Sequence, residues 1–261
     1  MWTSAELKER AKVALTGNYW KAFGVSLILV FLTGGSGGSS GGSWNNTMNG
    51  ESLDPEVWFI IAGIMLVAIA FGVAFSVFIS NPIEVGGKRF FTTQAEVAGT
   101  SDVAEFGLIG HGFKNGKYMN VVKTMFFRNL YIFLWGLLLI IPGIIKSYAY
   151  AMVPYLLADN PGMDSTRAIE LSKEMTDGEK MDMFILDLSF IGWFLLGVLA
   201  CCVGTLFVYP YYYATHAELY RTLREKTLAE GLCSYDELGF MAPEDDEVEE
   251  NESSDEDEIQ F

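Results

Sequence analysis

The stretch VWFIIAGIMLVAIAFGVAFSVFIS, from Val57 to Ser80, runs for twenty-four residues without a charged side chain. At about 1.5 Å of rise per residue, a helix of that length exceeds the roughly 30 Å hydrocarbon core of a bilayer. A backbone in lipid must satisfy its own hydrogen bonds, so the segment predicts a transmembrane helix, with Asn81 and Pro82 as the expected stop. Gly63, Ala70, Gly72 and Ala74 would let another helix come close, although no strict GxxxG occurs.

Other apolar runs make the chain polytopic. Tyr19 to Thr33 is short for a span and leans on Asn18 and Trp20 at the interface, and LYIFLWGLLLIIPGIIKSYAYAMVPYLLADNP, from Leu130 to Pro161, is too long for one ordinary crossing. A third run extends from Met183 to about Ala217. Half the residues are hydrophobic (51%) and 14% are aromatic, as a membrane protein requires.

Charge fixes the expected topology. Lys88, Arg89, Lys114, Lys117 and Lys123 lie between the first two of these long runs, and Arg167, Lys173 and Lys180 between the second and third. The excess of bases places both loops in the cytoplasm, so the run between them crosses an even number of times. Pro142 and Gly143 are the expected hinge, giving spans of about 126–141 and 144–158; the competing reading is one long span kinked at the proline. Lys146 would sit near the outer bend and snorkel to water. Arg221, Arg224 and Lys226 apply the same reasoning to 183–201 and 203–219, with Gly204 near the turn and Pro210 as a further hinge.

The expected fold is therefore all-α: a polytopic integral membrane protein of the cell membrane, with about six transmembrane helices in three hairpins and both termini cytoplasmic. The spans are about 19–33, 57–80, 126–141, 144–158, 183–201 and 203–219, within a membrane domain of 19–242. Residues 1–18 predict an amphipathic helix on the membrane, capped by Thr3 or Ser4, with Leu7, Ala11, Ala14 and Leu15 on one face. A signal peptide competes for this start, but the basic segment is long and no convincing small-residue cleavage site follows, so an uncleaved anchor is expected. DSTRAIELSKEM predicts a second interfacial helix, capped by Asp164 or Ser165, with Ile169, Leu171 and Met175 toward the bilayer. Gly17, Gly116 and Gly178 each stand between such a polar helix and an apolar run, a faint threefold repeat.

Two segments fall outside this core. The Gly/Ser-rich stretch within the outer loop 34–56 reads as a flexible linker. The tail 243–261 holds eleven acidic and no basic residues, leaving −5 for residues 1–242 of the total −16. It reads as disordered, cytoplasmic and open to basic partners or cations.

Chemistry is sparse. Cys201, Cys202 and Cys233 form no CxxC pattern, and His111 and His216 have no partner at ligand spacing, so neither metal nor cofactor is expected. No zinc-protease or phosphate-loop motif occurs, and the protein is not expected to be an enzyme. Asp187 lies one turn into an apolar run, where an ionisable group suggests ion handling, an internal pair or, the favoured reading, simply the interface; Arg128, at the equivalent edge of another run, is the candidate partner for a structural bridge. Glu84, beside Pro82, reads as loop. Tyr209, Tyr211, Tyr212 and Tyr213 read as an aromatic belt or a polar-tipped lining.

LKERAKVALTGNYWKAF, the block from Leu137 to Lys180, FIGW and YPYYYATHAELYRTL together resemble the bacterial integral-membrane family known as domain of unknown function 975 (DUF975). The likeness extends to about residue 225 and is most specific from Pro142 to Gly178. It implies a multi-pass membrane protein typical of Gram-positive bacteria, without an established activity. It also implies a distant similarity to the membrane domain attached to some glycerophosphodiester phosphodiesterases, whose catalytic domain is not expected here. The expected function is a non-enzymatic membrane scaffold or regulatory protein. Its partners would be membrane lipids and a membrane or cytoplasmic protein met through the interfacial helices or the acidic tail, with no nucleic acid. The alternative is a small-solute transporter or channel, which would need Asp187, Arg128 or the tyrosines to line a polar path.

Overall fold

A computed structural model describes residues 2–33, 55–100, 102, 104–114, 116–199 and 203–240. The Gly/Ser-rich stretch, Cys201, Cys202 and the acidic tail lie outside the described residues. The described chain is all-helical: α1 (Ser4–Leu15), α2 (Tyr19–Thr33), α3 (Pro55–Phe75), α4 (Asn81–Glu96), α5 (Tyr118–Leu138), α6 (Ile140–Ala149), α7 (Val153–Asp159), α8 (Ser165–Met175), α9 (Lys180–Leu199) and α10 (Val203–Ala229). Among the described residues four segments are long and apolar enough to cross a membrane: Trp58–Glu96, Tyr118–Leu138, Ile140–Asp159 and Lys180–Leu199. A fifth is added if α1 and α2, bent by 110°, count as one.

The expected stop at Pro82 is absent. A π-helical turn, Ser76–Ser80, joins α3 to α4 without a break. Proline has no N–H for the carbonyl four residues back, here that of Phe78, and the wider π turn accommodates its ring. The Tyr118 hydroxyl donates to that same carbonyl at 2.7 Å, replacing the lost partner.

The reversal between α5 and α6 falls close to, but not on, its expected hinge, and the turn expected near Cys201 to Gly204 lies partly outside the described residues. Between α5 and α6 the chain turns at Leu139, which is extended (φ −156°, ψ 138°). Pro142 sits inside the first turn of α6, where its missing N–H would have no helical partner in any case. Gly143 serves close approach: a Cβ there would lie 2.7 Å from the Cα of Gly136, seven residues earlier, so α6 doubles back on α5. Gly197 does the same for α9 and α10, with a Cβ 2.6 Å from the Thr205 nitrogen and 2.9 Å from the Gly204 carbonyl carbon. Pro210 lies within α10 without ending it.

The core lies where the polar helices meet, around α10. Leu7 and Ala11 of α1, Phe90 and Phe91 of α4, Leu156 of α7, Leu171 of α8 and Tyr220 of α10 are all buried in one cluster. Leu7, Ala11, Ala14 and Leu15 do share one face of α1, but they are buried by the chain itself rather than laid on a membrane. Ile169, Leu171 and Met175 of α8 are likewise buried in the protein, not turned to lipid. An amphipathic stripe shows that a face is covered and leaves open by what. Thr3 caps α1 and Asp164 caps α8; the backbone N–H groups of Thr166 and Arg167, with Lys123 nearby, hold the Asp164 carboxyl below the usual range.

Gly17, Gly116 and Gly178 all have positive φ, at 82°, 63° and 78°, immediately before α2, α5 and α9. Glycine alone takes that conformation without steric cost, so the threefold pattern has a backbone basis. By contrast, the apolar window of α3 has no buried residue (0%), and its side chains face outward on every side.

Candidate functional site

Glu84 and Lys88 of α4, Arg128 of α5, Tyr148 of α6, Asp187 of α9 and Tyr212 and His216 of α10 line one cavity of about 240 Å³. The expected Arg128 to Asp187 pair is not formed, although both residues face the same space. Asp187 is bound instead by α10 and α6: its Oδ1 lies 2.9 Å from His216 Nε2, and the Tyr148 hydroxyl donates to its Oδ2 at 2.8 Å. The His216 ring packs on Tyr212, with ring centroids 4.4 Å apart.

Arg128 is held on the other side. Its Nε donates to the Tyr150 carbonyl at 3.0 Å, and its Nη1 reaches Asn129 at 3.1 Å and Glu84 at 3.9 Å. Glu84 is thus a helical, partly buried residue of the cavity and not part of a loop. Its position follows from Pro82, which the π turn absorbs.

Lys88 stands apart. Its ammonium lies 4.8 Å from the ring centroids of both Tyr155 and Tyr213, and among the described residues no carboxylate oxygen comes within ion-pair distance. The aromatic faces offset part of the cost of its desolvation. The other charges in the cavity have polar partners from the chain; Lys88 is faced by two rings, with the carboxylates of Glu84 and Asp187 further off in the same cavity.

A second cluster lies further along α10. The carboxylate of Asp159, its side chain fully buried (0% exposed), meets Arg89 at 2.7 Å, Arg224 at 3.0 Å and the Tyr220 hydroxyl at 2.6 Å. Arg224 also pairs with Glu96 at 2.9 Å. Every partner here is supplied by the protein, so the cluster joins α4, α7 and α10 structurally.

Sequence reasoning missed both His216 and Asp159. The signal it could have used is spacing: Tyr212, His216, Tyr220 and Arg224 recur every four residues and form one polar stripe along α10, while Glu84 and Lys88 repeat the interval on α4. Tyr212 lines the cavity, and Tyr211 and Tyr212 both pack on Phe190 at 5.4 Å, so these two rings face the protein interior. Among the described residues no three His, Cys, Asp or Glu side chains gather to hold a metal.

The cavity and both ion clusters draw heavily on one part of the chain, and that part resembles a known family. Residues 119–227 match the model of the family described as a protein of unknown function, DUF975. Arg128, Tyr148, Asp187, Tyr212 and His216 fall within the matched segment, while Glu84 and Lys88 lie before it. The likeness read in LKERAKVALTGNYWKAF is also outside the match. No curated protein and no solved structure matches the chain.

Proposed function

We propose that this is a multi-pass membrane protein that binds a small solute carrying an anionic group in the cavity between α4, α5, α6, α9 and α10, and that it moves the solute across the membrane. The observation that carries this reading is the convergence of Lys88, Arg128, Glu84, Asp187 and His216 on one cavity. Ionisable groups at membrane depth are costly and are kept where they handle ions or substrates. Lys88 is the docking cation, and the Asp187 to His216 pair sets the polarity of the opposite wall. Sequence alone favoured a scaffold because it offered no charge cluster, and the packed helices supply one.

The topology that suits this role has six spans in three hairpins with both termini cytoplasmic. Support comes from the basic loops and from the tight reversals at Gly136 with Gly143 and at Gly197 with Thr205. α10 is too polar to qualify as a span by itself, because its tyrosines and His216 face other helices rather than lipid.

Solute binding is tested on the purified full-length protein by thermal unfolding against a panel of small carboxylates, amino acids and phosphate esters. One class is expected to raise the melting temperature of the parent and to lose that effect in Lys88→Gln. A panel in which nothing shifts the parent contradicts the proposal. The scaffold reading keeps one specific observation, the apolar surface of α3 left bare on every side; an obligate complex with a second membrane protein, lost when α3 is replaced by an unrelated apolar span, would favour it.

A further inference from the structure

On the far side of α6 lies a second concavity, of about 570 Å³, between α5, α6 and α8. Three helical stripes meet in it. Lys123, Phe127, Tyr131 and Trp135 follow one another at four-residue intervals along α5, so a lysine stands at one end of an aromatic wall. Lys146 lies on α6 with Tyr150 four residues further on, and Ile169 and Lys173 repeat the spacing on α8.

The three lysines are not consumed by the fold. Lys146 stands 5.2 Å from the Trp135 ring centroid and Lys173 stands 5.9 Å from that of Tyr150, and among the described residues no carboxylate lies within ion-pair distance of Lys123, Lys146 or Lys173. Opposing them are Glu170 in the lining and Asp164 near Lys123, the latter committed to capping α8. The groove therefore keeps a cationic surplus beside aromatic rings.

Its setting narrows the ligand. Two walls belong to Tyr118–Leu138 and Ile140–Asp159, both apolar enough to cross a membrane, and the third is the polar helix α8. A ligand seated there meets Lys123 at one end of the α5 wall and Lys146 beside Trp135 at the other, and an exposed apolar surface adjoins the groove at Leu134, Leu137 and Leu138 of α5. Free phosphate would satisfy only the lysines. We infer that the groove is a binding site for an anionic phospholipid, its phosphate held by Lys146 and Lys173, with Lys123 at the rim, and its first acyl segments laid along Trp135 and Tyr131.

This site is separate from the solute cavity: Lys146 and Tyr150 face the groove, whereas Ser147 and Tyr148 of the same turns face the cavity. The experiment uses the full chain purified in neutral detergent, with bound lipid counted by native mass spectrometry and the melting temperature followed in parallel. Phosphatidylglycerol is expected to bind at least tenfold more tightly than phosphatidylcholine. That preference is expected to vanish in K146Q/K173Q, to survive in K146R/K173R and in the distant control K114Q, and not to be reproduced by glycerol phosphate. Equal binding of the two lipids, or a preference that K114Q abolishes equally, overturns the assignment. If K146Q/K173Q does not fold, a headgroup-photoreactive phosphatidylglycerol is applied to the unaltered protein. Adducts concentrated in α5, α6 and α8 uphold the site, and adducts spread over all helices refute it.

Discussion

Asp187 and His216, on helices that double back on each other, meet at 2.9 Å inside the protein, and Tyr148 completes the carboxylate at 2.8 Å. Removing one partner leaves the other poorly solvated, so Asp187→Asn and His216→Gln are each expected to cost roughly 1–3 kcal/mol. The double variant is expected to cost less than the sum, with a coupling on the order of 1 kcal/mol. Denaturation of the four proteins in one detergent checks this, and strict additivity would show that the pair is not an energetic unit.

Asp159 is the most consequential single carboxylate for stability. Asp159→Ala strands Arg89, Arg224 and the Tyr220 hydroxyl around a buried vacancy. Breaking a buried ion cluster by removing one member costs about 3–5 kcal/mol. Thermal unfolding is expected to drop sharply for this variant, whereas Glu6→Ala, which breaks the exposed pair with Arg10, should change little.

The hairpins depend on two glycines. Gly143→Ala would put a Cβ 2.7 Å from the Gly136 backbone, and Gly197→Ala would put one 2.6 Å from Thr205. Backbone cannot step aside as a long side chain can, so each is expected to cost about 1–3 kcal/mol. Gly63→Ala, with open space around it, is the matched control and should be silent.

Acid acts through His111, which lies outside the spans. Burial, then the nearby charges of Arg89 and Lys114, hold its pKa below 6.5, against a weaker opposing bond to the Ala158 carbonyl. The unfolded chain then binds the proton more readily than the folded one. The stability His111 confers is present above its unfolded pKa of about 6.5 and is lost as pH falls through the lower folded value. Melting temperature should therefore decline as pH is lowered through this window, with a smaller decline in His111→Gln.

Part of the architecture was legible in the sequence because apolar length, helix caps and left-handed glycines are local signals. Val57 to Ser80, the caps at Thr3 and Asp164, and the glycines before α2, α5 and α9 could each be read within a few residues. What the amphipathic faces of α1 and α8 cover could not, since periodicity marks burial and not the identity of the neighbour. Pro82 misled for a related reason: whether proline ends a helix depends on what replaces the lost hydrogen bond, and Tyr118 lies forty residues from the Phe78 carbonyl it serves. The cavity was the least legible feature. Asp187 and Arg128 were identifiable as charges at the edges of apolar runs, but their partners come from Glu84, Tyr148 and His216, brought together only by packing.

Solute flux tests the central claim most directly. The full-length protein is reconstituted into sealed vesicles, and the solute class that stabilises it is supplied outside. Uptake is expected in the parent and to fall at least tenfold in Lys88→Gln and in Asp187→Asn, with both variants folded and with Lys114→Gln unchanged. A parent that binds the solute yet transports none, or uptake untouched by both cavity variants, would contradict the account.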